Sequence, residues 1–356
     1  MENKYLDRLV ETIQSKDKLL ARGGQTKTGI LSPSEVEILD ISPINGIREY
    51  NPSEYTFTAY AGTPLKDINQ MLAENGQFLP FDPPLTDHGA TLGGTVASNL
   101  SGPGRYHYGG VRDFILGVQF LDSQGRLIHT GGKVVKNAAG FDIPKLMVGS
   151  LGSLGAMVEV SIKVFPKPKE TITAISRYAT LPAALNSLIQ LTSSSSEILC
   201  LELEPIDDSY DLRIRLGGEP KLFPDRISHL GETVGDIVTL IGDPETEYWE
   251  SLNEFDWVPE GTVLVKIPLT PKFVPQLDEF LNSNHAIRRY SAGANVAWVA
   301  LSQPLNLLDQ KLKELNLMGL TVLGSADQIR LGAWEPGGFY RRIKDALDPS
   351  GLWLEV

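Results

Sequence analysis

The chain holds one cysteine, Cys200, in 356 residues. It can therefore close no internal disulfide and can supply no all-cysteine zinc site or iron–sulfur cluster of its own. A reducing compartment is the expected home. No apolar run approaches the roughly 18 residues that a membrane-spanning helix needs. After Met1 the segment ENKYLDRLVETIQSKDKLL is charged and amphipathic, without the apolar core of a secretory signal, so the chain is expected to be neither exported nor membrane-spanning. Basic residues are also short: 32 Lys and Arg against 44 Asp and Glu leave a formal charge of −12, which disfavours nucleic acid and anionic lipid as partners. Low-complexity sequence is confined to Ser193 to Ser196, and no repeat recurs at a fixed period. Neither G-x-G-x-x-G nor G-x-x-x-x-G-K-[ST] occurs, so neither of the two best-known nucleotide loops is available.

What remains is an ordinary globular composition, 42% hydrophobic and 21% charged, in a chain long enough for two or three cores. Apolar residues from Tyr5 to Leu19 fall at helical spacing over 4–21 and lead into the glycine loop RGGQTKTG. EVEILDISP reads as a strand. Pro64 and Gly76 bracket LKDINQMLAENG with helix start and stop signals. FILGVQFLDSQGRLIHTGG reads as a hairpin turning at Ser123-Gln124-Gly125. Clustered prolines and charges in PKPKE, Pro166 to Glu170, mark the clearest border. Beyond it, strand-like and helix-like segments alternate to about residue 335, which predicts an α+β region on a mainly antiparallel sheet. A helix and a Pro-Ser-Gly turn close the chain.

Three glycine-bearing loops carry the chemistry of the first half: Arg22 to Gly29, Ala90 to Gly110 and Val148 to Val160. A turn dense in Gly, Ser and Thr can point several backbone N–H groups inward and so cradle a pyrophosphate, with Lys27 adding charge and Thr26 and Thr28 adding hydroxyls. The same glycines also serve tight turns between packed elements. Three such loops in one region favour a long ligand of dinucleotide length.

The order RGGQTKTG, DPPLTDHGATLGGTVASNLSGPGR and VRDFILGVQFLDSQGRLIHTGGKVVKNAAGFDIPKLMVGSLGSLGAMVEV resembles the FAD-binding domain of the vanillyl-alcohol-oxidase/p-cresol-methylhydroxylase (PCMH-type) superfamily. VVKNAAGFDIPKLMVGSLGSLG is similar to the flavin segment of its 2-hydroxyacid dehydrogenase branch, and nearest to the FAD-binding subunits of bacterial glycolate oxidases. The resemblance is strong over about residues 20–168. It implies an α+β fold: a two-subdomain PCMH-type FAD-binding domain over 1–168, a cap over 171–335 serving substrate or partner, and a tail over 336–356 that returns towards the FAD domain.

By the same resemblance, Gly23, Gly24, Gln25, Thr26, Lys27 and Thr28 form the pyrophosphate loop. Thr91, Gly93, Gly94, Ala97, Ser98 and Gly102 follow the flavin and its ribityl chain, and Lys136 and Asn137 lie in the family's flavin segment, set against an ordinary solvated role; Arg105 is a candidate to neutralise a phosphate or the reduced flavin, set against capping a surface loop. Gly155 leads into a strand whose Val158 and Glu159 offer backbone contacts at the adenine end. The implied activity is FAD-dependent oxidation of the CH–OH group of a small 2-hydroxyacid, glycolate first, within a complex with a second flavoprotein and an iron–sulfur subunit. The implied location is cytoplasmic, or peripheral to the inner membrane through those partners.

Departures from the family pattern sharpen this. Relatives that hold FAD covalently use a His in the first loop or a Cys in the second; here Gln25 and Thr26 fill the first and Cys200 lies far beyond, so noncovalent FAD is expected. The metal-binding His cluster of stand-alone lactate and hydroxyglutarate dehydrogenases is missing, since only His229 and His285 follow residue 170, and no metal is expected. The catalytic base stays unassigned. His88 and His107 are acid–base candidates set against structural roles, and Arg288 and Arg289 could bind a carboxylate or be a solvated pair at a helix end. Three other functions stay open: a self-sufficient FAD dehydrogenase, a non-catalytic flavoprotein scaffold, and the uridine-diphosphate-sugar reductase of the same superfamily.

Overall fold

The computed structural model describes residues 2–30, 36–132, 142–302, 304–325, 328–335 and 337–355. The N-terminal helix Glu2–Ser15 buries Leu9 and Ile13, one turn apart on its inner face. It stops six residues short of the helix expected over 4–21. Lys16, Asp17 and Lys18 interrupt the apolar stripe, and Leu19–Arg22 instead forms a buried strand parallel to Glu37–Asp40. Leu19 also exchanges backbone hydrogen bonds with the C-terminal tail, through Leu352 O and Leu354 N.

A five-stranded antiparallel sheet follows, in spatial order Ile47–Asn51, Thr56–Tyr60, Ala156–Lys163, Ile115–Leu121 and Leu127–Gly131. The last two strands are the hairpin read from the sequence, with Gly125 at positive φ in its turn. The helix Leu65–Ala73 buries Leu65, Ile68 and Leu72 at helical spacing, and the short helix Leu92–Ser98 packs on the sheet. These elements share one core with the N-terminal helix.

The cap is one nine-stranded sheet, and its strand order reveals a repeat that the sequence hides. Glu170–Tyr178, Ile198–Ile206, Ser209–Gly218 and Val238–Ile241 form a βαββαβ unit with its fourth strand beside its first and its third beside its second. Val263–Pro268, Ile287–Ser291, Val296–Leu301 and Met318–Leu323 form a second unit of the same topology. The two meet at their second strands, where Leu203 pairs with Tyr290 antiparallel, so a pseudo-twofold relates them. Arg330–Gly332 extends one edge.

Side-chain alternation then divides the two faces of this sheet. Val263, Val265, Ile267, Ala297 and Val299 join the cap core under the cap's own helices. Leu264, Val296, Trp298 and Ala300, one residue out of phase, belong to the core of the FAD domain. In the first unit, the face turned away from those helices carries Glu202, Glu204, Arg213 and Arg215. The helix Asp243–Glu254 covers it, with Glu245 bonded to Arg215, Thr171 and Thr173 and with Trp249 Nε1 donating to Thr173. The covered charges of Glu245 and Arg215 are thus paired, as burial favours.

The C-terminal helix Gly338–Leu347 anchors the tail on the FAD domain. Lys344 is buried and its ammonium donates to Ser153 O, Trp353 O and the Asp348 carboxylate, all at 2.6 Å.

Candidate cofactor cleft

The strand Leu19–Arg22 ends where the first glycine loop begins. An open cleft lies there, with about 480 Å³ of non-atom space that includes open solvent, lined by Ala21 to Lys27, Ile30, Thr91, Gly94, Ala97, Ser98 and Leu151. Thr91 joins its two walls. As N-cap of the helix Leu92–Ser98 it accepts from Gly94 N, and the same Oγ1 accepts from Gly24 N, each at 3.4 Å. On the far side Thr28 Oγ1 accepts from Gly324 N of the cap at 3.0 Å, and Arg22 Nη2 donates to Ile30 O at 2.7 Å across the loop. The loop is held at both ends before any ligand arrives.

Glycine is required here for space. A Cβ on Gly23 would overlap Thr91 Oγ1, and one on Gly24 would overlap the backbone carbonyl of Gly89. Gln25 adopts positive φ at the loop tip. Among the described residues, the backbone N–H groups of Gln25 and Thr26 have no acceptor. Thr26 Oγ1 and Arg22 Nε are buried with no hydrogen-bond partner. Lys27 is 8% exposed, and its ammonium pairs with no carboxylate among the described residues. Burial pushes it down to about 8, with Glu254 opposing at longer range. Unmade donors and an unpaired cation converging on one cleft are what a diphosphate would complete, so the residues fit the group.

The structure gathers some of the sequence-derived residues and separates others. Gly23, Gly24, Gln25, Thr26, Lys27, Thr91, Gly94, Ala97 and Ser98 line this cleft. Thr28 and Gly93 stand behind it, Gly93 packed where a Cβ would meet Ala61. Gly102 lies at a second pocket, and Arg105 opens the short helix Arg105–Tyr108. Val158 and Glu159 lie within the five-stranded sheet: Val158 O accepts from Ala61 N, and the Glu159 carboxylate takes Gln119 and Arg48. Lys136 and Asn137 fall outside the described residues.

GSLGSLG, residues 149–155, turns the chain with Gly149, Leu151, Gly152 and Gly155 all at positive φ. Leu151 touches the cleft, whereas Gly155 is needed for close approach to Phe120. Arg22 and Leu151 line the cleft but were not singled out from the sequence. The signal for Arg22 was its place as the last strand residue before the loop.

Other candidates resolve differently. His88 Nδ1 sits 2.9 Å from Glu254 Oε2, across the junction between FAD domain and cap, and His107 packs edge-on against Tyr108. Arg288 and Arg289 are no solvated pair at a helix end. They occupy a strand, Arg288 bonded to Asp278 and Arg289 to Glu204 and Tyr248, because alternation sends them to opposite faces. No group of three or more His, Cys, Asp or Glu able to hold a metal ion occurs among the described residues.

Loop, helix and antiparallel cap together define a PCMH-type FAD-binding flavoprotein. Comparison with known proteins agrees. A family model described as "FAD binding domain" matches residues 6–131. The chain is 36% identical over 256 residues to glycolate oxidase subunit GlcE of Escherichia coli (strain K12), covering 70% of this chain and 67% of that one. It is 31% identical over 170 residues to glycolate oxidase subunit GlcD of Bacillus subtilis (strain 168), covering 48% of this chain and 36% of that one. The chain thus spans two thirds of GlcE and about a third of GlcD. An alkyldihydroxyacetonephosphate synthase structure shares the fold at TM-score 0.71 and 16% identity, over 97% of this chain and 73% of that one. The chain belongs to the FAD-binding oxidoreductase family that includes the glycolate oxidase subunits, and FAD is its cofactor.

Proposed function

We propose that the chain is the FAD-binding subunit of a complex that oxidises a small 2-hydroxyacid, glycolate in the first instance, and hands the electrons to partner subunits. The observation that carries this is the unmade donor set of the loop Gly23–Thr28 in a chain similar to GlcE over two thirds of that protein. Bound FAD would supply the hydride-accepting ring. Gly23, Gly24, Gln25 and Thr26 would hold its diphosphate by backbone N–H and hydroxyl, with Lys27 and Arg22 offsetting its charge. Thr91 fixes the loop against the helix Leu92–Ser98, and the cap sheet packs on the FAD domain through Trp298 and Val296.

The partners in this reading are a second flavoprotein and an iron–sulfur subunit. With a single buried thiol the chain has no relay of its own. The place of action is the cytoplasm, or the inner membrane surface reached through partners. Among the described residues no helix is long and apolar enough to cross a membrane. Anaerobic addition of glycolate should bleach the flavin band of the assembled complex, while the chain alone turns over an artificial dye slower than the roughly 1 to 1000 per second of ordinary enzymes. Turnover in that range by the isolated chain would refute dependence on a partner.

FAD is held noncovalently in this reading. Cys200 is buried in the cap sheet with Trp249 and Leu252, and no histidine lines the cleft. Acid precipitation should release all the flavin into the supernatant. A pellet that stays yellow through denaturing electrophoresis would contradict it.

A further inference from the structure

The first βαββαβ unit of the cap ends in the strand Val238–Ile241, which forms one edge of the nine-stranded sheet. Its inner side pairs antiparallel with Glu170–Tyr178, Ile172 opposite Ile241 and Ile175 opposite Val238. Among the described residues no strand lies on its outer side. The backbone groups that face outward there are a template for a further strand.

The pseudo-twofold supplies a comparison within the chain. In the second unit the corresponding strand is Met318–Leu323, and Arg330–Gly332 covers its outer side antiparallel, Met318 opposite Gly332 and Leu320 opposite Arg330. A short strand is enough to complete that edge. In the first unit the chain leaving Ile241 turns at Gly242, at positive φ, into the helix Asp243–Glu254, which packs on a face of the sheet and leaves the edge open.

The open edge lacks the common protection. Edge strands often carry Lys, a proline or a bulge that prevents further pairing; VTLI has no Lys or Pro, and its register with Glu170–Tyr178 is unbroken. Val238 is 69% exposed and Ile241 62%, more than any other large apolar side chain among the described residues. Alternation puts one on each face of the sheet, so a strand laid alongside meets apolar surface on both.

Charge selects the occupant. Between Arg226 and Lys266 the sequence has nine Asp and Glu and no Lys or Arg. Two of these carboxylates are engaged inside the protein, Glu245 by Arg215 and Glu254 by His88 and the Thr86 and Asp87 amides. Asp236 precedes the strand, Asp243 follows it, and Glu247 and Glu250 stand on the covering helix, all four exposed. A second copy paired antiparallel, Val238 opposite Ile241, would set Asp236 of each chain opposite Asp243 of the other, which like charges disfavour. A basic partner meets the opposite field.

We propose that the outer edge of Val238–Ile241 receives an extended segment of a partner subunit, apolar at its centre and flanked by Lys or Arg, which adds one more strand to the cap sheet. That the partner belongs to a glycolate-oxidising complex rests on the function proposed above. The docking edge itself rests on the open ladder, the two exposed apolar side chains and the acidic surround.

The test is hydrogen exchange and calorimetry on the FAD-loaded full chain, titrated with the peptide Lys-Lys-Thr-Val-Thr-Val-Thr-Lys-Lys, with one control in which Glu replaces every Lys and another in which Pro replaces both Val. The lysine peptide should bind at least about tenfold more tightly than either control, slow amide exchange in Val238–Ile241, and weaken several-fold from about 0.05 to about 0.5 M salt. Val238→Lys combined with Ile241→Lys should abolish both effects while FAD affinity stays at the wild-type value. Ile189→Lys, at an exposed site on the helix Leu181–Thr192, should change nothing. In the assembled complex the same amides should be protected, and the double variant should lose partner subunits on sizing chromatography. Equal binding of the lysine and glutamate peptides, or unchanged exchange over Val238–Ile241 with either the peptide or the complex, overturns the proposal. So does a dimer of the isolated chain that the double variant breaks, which would make the occupant a second copy. A complex that assembles and is bleached by glycolate without protecting the edge sinks the edge but not the function; an edge protected in a complex that glycolate never bleaches sinks the function but not the edge.

Discussion

Gly24→Asp is expected to abolish FAD binding, weakening it by at least about a hundredfold, which corresponds to roughly 3 kcal/mol. Two effects add at this one position. Any Cβ on Gly24 overlaps the carbonyl of Gly89, a backbone atom that cannot swing aside as a flexible side chain would, so the loop must move off Thr91. The carboxylate then places negative charge in a cleft whose unmade donors, Thr26 Oγ1 and the amides of Gln25 and Thr26, suit an anion. Alanine separates the two. Gly24→Ala keeps the steric fault alone, whereas on Gly94 a Cβ meets only Thr91 Oγ1, at 3.1 Å, so Gly94→Ala should be far milder. Gly94→Asp, with charge restored, should again abolish binding. Fluorescence titration of released FAD against the folded variants is the measurement, and equal affinity for Gly24→Asp and wild type would mean that the cofactor lies elsewhere.

The contrast between the two glycines shows what the sequence could reveal. A loop such as RGGQTKTG states its purpose locally: small residues, hydroxyls and one lysine within eight positions leave little else for the backbone to do. The same holds for the hairpin at Gly125 and the helix after Pro64. Leu19 and Leu20 could not be read this way. Their apolar spacing continues that of the preceding helix, and only pairing with Glu37–Asp40 and the returning tail around Trp353 makes them a strand.

The junction between cap and FAD domain was hidden for a related reason. ILCLELEP announces alternation and sends Glu202 and Glu204 to one face of a strand, which in a two-layer cap would be the wet face. Here the FAD domain and the helix Asp243–Glu254 cover that face, so the carboxylates are buried and either paired, as Glu204 is with Arg213 and Arg289, or left to titrate, as Glu202 is. Lys266 gave a clearer signal, a lone charge within VLVKIP, but nothing in that strand says what lies opposite it. The duplicated βαββαβ unit left no trace at all, because the topology repeats while the residues do not.

Lys27 ties the cofactor to pH with a sign that can be worked out in advance. Burial brings its ammonium down from 10.5 to about 8 in the ligand-free chain, a cost on the order of 3 kcal/mol for keeping it charged at neutral pH. A diphosphate beside it favours the charged form and raises that value in the complex. Below pH 8 the free chain already carries the proton and FAD affinity should be level. Above pH 8 binding must take up a proton, and affinity should fall about tenfold per unit until the pKa of the complex is reached. The stability of the FAD-free chain should move the other way. The unfolded lysine, near 10.5, holds its proton longer than the folded one, so this group's contribution to stability rises between about pH 8 and 10.5. Lys266, pushed down to about 7, adds a similar rise that begins one unit lower. Opposed slopes in affinity and stability distinguish a lysine that meets the ligand from one that is merely buried. Lys27→Met should bind FAD at least about tenfold more weakly at pH 7, with affinity level to pH 9.5 and higher stability in the absence of FAD, because the buried charge and its cost are gone together. FAD titrations and urea unfolding from pH 7 to 9.5, on wild type and Lys27→Met, decide it: a wild-type affinity that stays level across that range would show that Lys27 does not meet the cofactor.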